Sequence, residues 1–129
     1  MKIVLIILGG GIGSLARYSV SGWVHGKYAG VFPLGTLTVN LVGSFLIGVL
    51  WALFESATMS PALRVFLFIG ILGGFTTFST YSLETLSLVR DGEVRTALLN
   101  ILVNNVGGIL LAFAGFVCTR EIQQLMTKL

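Results

Sequence analysis

Four stretches of this chain contain no Asp, Glu, Lys or Arg: residues 3–16, 28–54, 65–83 and 96–119. A helix needs about 20 mostly apolar residues to cross the hydrocarbon core of a bilayer. Carried into their flanks, the stretches predict spans at about 3–24, 35–54, 63–88 and 95–119, joined by connections at 25–34, 55–62 and 89–94. Pro33 and Pro61 each lie just before a span, where proline suits a helix start. Arg90-Asp91-Gly92-Glu93 reads as a tight polar turn. Composition agrees: 55% of the 129 residues are apolar and 10% are charged, against about 25% charged in soluble domains. Mean hydropathy is +0.97. The expected class is an all-α integral membrane protein, residues 1–129 forming one membrane domain. Lys2 is followed by no clean small-x-small cleavage pattern, so the first span reads as retained. The tail from Arg120 extends the last helix out of the membrane.

Charge excludes further classes. A net charge of +3, scattered along the chain, does not suggest nucleic-acid binding. The single cysteine, Cys118, forms no intrachain disulfide, and His25 is alone. With four spans both termini share one side. That side carries Lys2, Arg64, Arg120 and Lys128, while the other carries Arg17, Lys27, Arg90 and Arg95. A Lys/Arg excess normally sets orientation, and here there is none. Insertion both ways, and with it an antiparallel homodimer of two-fold symmetry, is expected; the open alternative is that one well-placed charge decides.

Glycines mark close packing. Gly9 and Gly13 form a GxxxG face, Ser44 and Gly48 repeat the pattern in the second span, and Gly108 with Ala112 in the fourth. A nucleotide fingerprint in the first span would need glycine at Ser14 and a soluble βαβ unit, so it is discarded.

Polar groups within spans are costly and concentrate at functional positions. Arg17 lies about 10 Å along the helix from the end of its span, within snorkelling reach; it serves as an anchor or as a vestibule charge that draws anions inward. Thr36, Asn40 and Ser44 share one face of the second span, offering donors to an anion or hydrogen bonds to neighbouring helices. In the third span, Gly73-Gly74 before Thr76-Thr77 predicts a helix break near the midplane. Breaks at that depth survive only where they are buried or line a cavity, and their freed carbonyls and N–H groups hold ions. Phe78 and Tyr81 follow on one face with Ser79, Thr80 and Ser82 beside them. Their ring edges carry partial positive charge and suit an anion, the alternative being simple packing. Glu84 either pairs with Arg17 across the bundle or ends the span as an interfacial acid. Asn100 and Asn104 share a face of the fourth span, with Asn105 adjacent.

GTLTVNLVGSFLIG at 35–48 and GGFTTFSTYSLE at 73–84, after GGGIGSLARY in the first span, resemble the Fluc/CrcB family of fluoride channels over essentially the whole chain. The resemblance implies an antiparallel dual-topology homodimer in a bacterial cytoplasmic membrane, surrounded by lipid. It implies two fluoride pores and a structural sodium ion on the dimer axis. Carried over by position, it makes Asn40 the pore asparagine, Phe78 and Tyr81 the aromatic pair, and Ser79 and Thr80 the polar pair between them. Gly73 and Thr76 become the carbonyl ligands of sodium, and Arg17 the vestibule arginine. Thr36 and Asn104 complete the expected polar track. Tyr81 departs from the family's phenylalanine and brings a hydroxyl into the pore; Asn100, Asn104 and Gly108 stand where the family often has other residues.

Two other classes compete. Small proton-coupled multidrug exporters are also four-helix dual-topology dimers, but they need a carboxylate deep in the first span, which holds only Arg17. A membrane scaffold would account for the glycine faces and not for the polar stripes. No nucleophile–base pair or phosphate loop points to an enzyme.

Overall fold

A computed structural model describes residues 1–28, 30–56 and 59–128; the expected connections at 25–34 and 55–62 lie partly outside them. Four helical segments are long and apolar enough to cross a membrane: Lys2–Lys27, Leu34–Glu55, Pro61–Arg90 and Val94–Met126. The first is α1 (Lys2–Lys27) and the second α2 (Leu34–Ser56). The third is composite. It runs through α3 (Pro61–Arg64), a π-helical stretch (Val65–Leu72) and the short α4 (Gly73–Phe75), then restarts as α5 (Phe78–Arg90). The fourth comprises α6 (Val94–Leu102), a second π-helical stretch (Val103–Gly107) and α7 (Gly108–Met126). Each span lies within a few residues of its expected place. α7 carries the fourth well past Thr119, as the polar tail suggested.

Local chemistry sets the ends. Pro61 opens α3, and the Ser60 hydroxyl accepts from the Leu63 N–H at 3.3 Å. Gly92, at φ +82°, makes the turn between α5 and α6 that a side chain would strain.

With little hydrophobic drive between helices in lipid, close packing must hold them together. α1 lies against the π-helical part of the third span, and α2 against α7. A Cβ on Gly9 would sit 2.9 Å from the Gly70 Cα, and one on Gly13 would collide with the Ile71 carbonyl. Across the second pair, a Cβ on Gly48 would strike the Ala112 carbonyl, and one on Gly115 the Phe45 carbonyl. The glycine faces are therefore where backbones touch. The small-residue faces of the second and fourth spans meet each other, Gly48 against Ala112 and Gly108 against the Ser44 side chain.

Both ends carry interfacial anchors. Lys27 Nζ lies 4.3 Å from the Trp23 ring centre at one end. At the other, Arg64 covers Phe54 and Trp51, and Arg120 pairs with Glu55 at 2.9 Å. Such aromatic and basic groups sit naturally at headgroup depth.

Candidate functional site

The break in the third span falls at Thr76 and Thr77, both extended (φ −82°, ψ 156° and φ −149°, ψ 111°). The Thr76 N–H still reaches the Leu72 carbonyl at 3.0 Å. The Thr77 N–H instead donates to Asn40 Oδ1 at 2.9 Å. Asn40 Nδ2 completes the clamp, donating to the Thr77 carbonyl at 3.2 Å and to Asn104 Oδ1 at 3.0 Å. One amide side chain from α2 thus satisfies both backbone groups of the residue where the helix is interrupted, as burial within a membrane demands. Thr77 then caps α5, its hydroxyl accepting from the Thr80 N–H at 3.2 Å and donating to Thr80 Oγ1 at 2.9 Å.

The chain of amides continues into the fourth span. Asn104 Nδ2 donates to Asn100 Oδ1 at 2.8 Å and to the Asn100 carbonyl at 3.1 Å. Fully buried Asn100 donates to Thr85 Oγ1 at 2.9 Å. Every N–H of Asn40 and Asn104 is engaged within the protein. Of the two roles the sequence leaves open for these amides, the hydrogen bonds to neighbouring helices are the ones formed here: they line the site and hold its backbone. Thr36 likewise bonds across helices, its buried hydroxyl donating to Glu84 Oε1 at 2.6 Å.

Two cavities meet at the break. The first, of about 360 Å³, gathers Asn40, Gly73, Thr76, Phe78, Tyr81 and Asn104, with Asn105 at its edge. Within it, Phe78 and Tyr81 stand 5.3 Å apart between ring centres, tilted 58°. Phe78 is 75% exposed on the protomer while Tyr81 is 7% exposed. The second, of about 630 Å³, holds Arg17, Thr36, Thr80, Glu84 and His25. Thr77 lines both, so the Asn40–Thr77 clamp separates them. Ser79 lines neither cavity, although it is exposed at the start of α5. Arg17 and Glu84 share the second cavity, but no ion pair joins them among the described residues. Glu84 takes its hydrogen bond from Thr36, and its other oxygen, Oε2, is buried without a partner.

The donors left for an anion sit at the start of α5. The Thr80 hydroxyl receives the Thr77 proton and keeps its own O–H. The first N–H groups of a 13-residue helix point toward the break, where the helix dipole is positive. The Gly73 carbonyl, meanwhile, lacks the partner that the Thr77 N–H would give it in an unbroken helix. Gly73 is exposed and lines the first cavity.

The π-helical stretches have no periodicity signal, although the adjacent pair Asn104-Asn105 marks one of them. In that stretch the Asn105 side chain donates to the Ile101 carbonyl at 2.8 Å, as Asn104 does to that of Asn100. Both amides thereby serve carbonyls of a widened turn, and such turns are common at functional positions.

The comparisons with known proteins agree with this architecture. Residues 4–116 match the family model described as CrcB-like protein, Camphor Resistance (CrcB). A protein of Parabacteroides distasonis named fluoride-specific ion channel FluC is 45% identical over 122 residues, 95% of each chain. Proteins with the same name from Thermus thermophilus and Pyrococcus furiosus are 48% and 49% identical. Those matches span 89% and 93% of this chain, and 91% and 97% of theirs. Nothing among these matches supports the multidrug-exporter alternative. With a family match over nearly all four spans and relatives of this closeness, the chain belongs to the CrcB-like family of multi-pass membrane proteins.

Proposed function

We propose that the protein is a fluoride-selective channel through which cytoplasmic fluoride leaves passively, with no covalent chemistry. The observation that carries this reading is the broken third span. It places hydroxyls, helix N–H groups and an aromatic pair at one mid-membrane point, in a chain close to proteins named as fluoride channels. A small anion that gives up water needs short, strong donors in exchange. The hydroxyls of Thr80 and Tyr81, one on each side of the clamp, and the first N–H groups of α5 supply them, and the Phe78 edge supplies a weaker electropositive surface. Arg17 raises the anion concentration in the vestibule. Hydrogen fluoride crosses membranes, dissociates inside and traps the anion; an open path lets it run down its electrical gradient. Expression in a bacterium lacking fluoride export should restore growth on fluoride. Growth no better than with empty vector contradicts the reading.

The assembly is an antiparallel homodimer in the bacterial inner membrane, carrying two pores. The balanced Lys/Arg count and the exposure of Phe78 on the single chain support this. Reporters fused to the C-terminus should be active on both sides of the membrane, and activity confined to one side contradicts dual insertion. A sodium ion fits the break, where the carbonyls of Gly73 and Thr76 from each copy would hold it. Bound there, it supplies fixed positive charge and ties the two copies together.

A further inference from the structure

Tyr81 brings to the pore a hydroxyl whose direction is set from the fourth span. The Asn105 side chain donates from one atom, Nδ2, to two acceptors: the Ile101 carbonyl at 2.8 Å and Tyr81 Oη at 3.0 Å. A carbonyl oxygen only accepts, so the atom touching Ile101 must be the amide nitrogen. The same nitrogen touches Tyr81, and both of its hydrogens are then used. Tyr81 Oη therefore acts as the acceptor in this contact, and its own hydrogen points elsewhere. Among the described residues no group takes that hydrogen.

The ring itself has little freedom. Tyr81 is 7% exposed, stands against Phe78, and lies on the cavity that holds the Asn40–Thr77 clamp. A hydroxyl that accepts one hydrogen bond becomes a better donor of another. A donor held in a mid-membrane cavity without an acceptor is unfavourable, and the site is thus built for a small acceptor to complete it. Asn105 itself lies on an exposed face of a membrane span, where an amide is costly unless it has such work.

We propose that Asn105 is a positioning residue that fixes the Tyr81 hydroxyl as a hydrogen-bond donor to fluoride in the pore. This rests on the channel reading and deepens it: the aromatic position binds the anion through an oriented O–H as well as through a ring edge.

The test is the fluoride dependence of flux from the full-length protein in proteoliposomes, for wild type, Y81F, N105A and the double variant. Y81F should raise the half-saturating fluoride concentration about threefold to tenfold, the range that one hydrogen bond supplies. N105A should raise it similarly, and the double variant no further than Y81F alone. An unchanged half-saturation in Y81F overturns the proposal, and decides the matter even where N105A does not assemble. A loss from N105A that is equally large in the Y81F background also overturns it, by making Asn105 merely structural. Absence of fluoride flux from the wild type would instead overturn the channel reading itself.

Discussion

Replacing Asn40 by Asp is expected to abolish fluoride flux, by about a hundredfold or more. The change is nearly isosteric, so it alters hydrogen-bond direction and charge while leaving side-chain volume almost unchanged. Asp keeps the oxygen that accepts the Thr77 N–H, now at 2.9 Å. It replaces the NH2 group that faces the Thr77 carbonyl at 3.2 Å and Asn104 Oδ1 at 3.0 Å. Two donor–acceptor contacts become two oxygen–oxygen contacts, each leaving a mid-membrane carbonyl unsatisfied at a cost of about 1–3 kcal/mol. An ionised carboxylate beside the pore also repels the permeating anion. Proteoliposome efflux checks this, with size-exclusion chromatography showing whether the protein still assembles. Flux within a few-fold of wild type would mean that the clamp across the break is dispensable.

Phe78→Ile should lower flux by on the order of tenfold to a hundredfold with little effect on folding of the single chain. The basis is the separation of exposure from contact. Phe78 is 75% exposed, so the protomer loses little packing when the ring goes. Isoleucine retains apolar bulk but has no electropositive edge. Measured flux and detergent melting temperature together decide the case. A lower melting temperature with unchanged flux would make Phe78 a packing residue.

Much of this arrangement is legible in the residues because membrane helices obey strong constraints. Uncharged stretches locate the four spans, since lipid tolerates little else. Gly73-Gly74 before two threonines locates the break to within a few residues, because these residues weaken a helix locally. The extended residues prove to be Thr76 and Thr77, where Asn40 can take over the backbone bonds. Gly9, Gly13 and Gly48 mark backbone contact, because nothing larger fits there. What stays hidden is pairing between spans. Sequence spacing puts Thr36 and Asn40 on one face, but it does not reveal that Thr36 is spent on Glu84. Nor does it show that Asn40 is spent on Thr77 and Asn104. Glu84 and Arg17 suggest an ion pair by charge alone, whereas the structure gives Glu84 a hydroxyl partner. Asn105 draws little notice beside Asn104 because its value lies in a contact with Tyr81, 24 positions away.

The central claim is that this site conducts fluoride and rejects chloride. Its most direct test is simultaneous measurement of both anions leaving the same proteoliposomes, with ion-selective electrodes and a potassium ionophore to carry the counter-charge. The account predicts rapid emptying of fluoride while chloride leaves no faster than from protein-free vesicles. Chloride efflux at a rate comparable to fluoride, or fluoride retained as in protein-free vesicles, would contradict it.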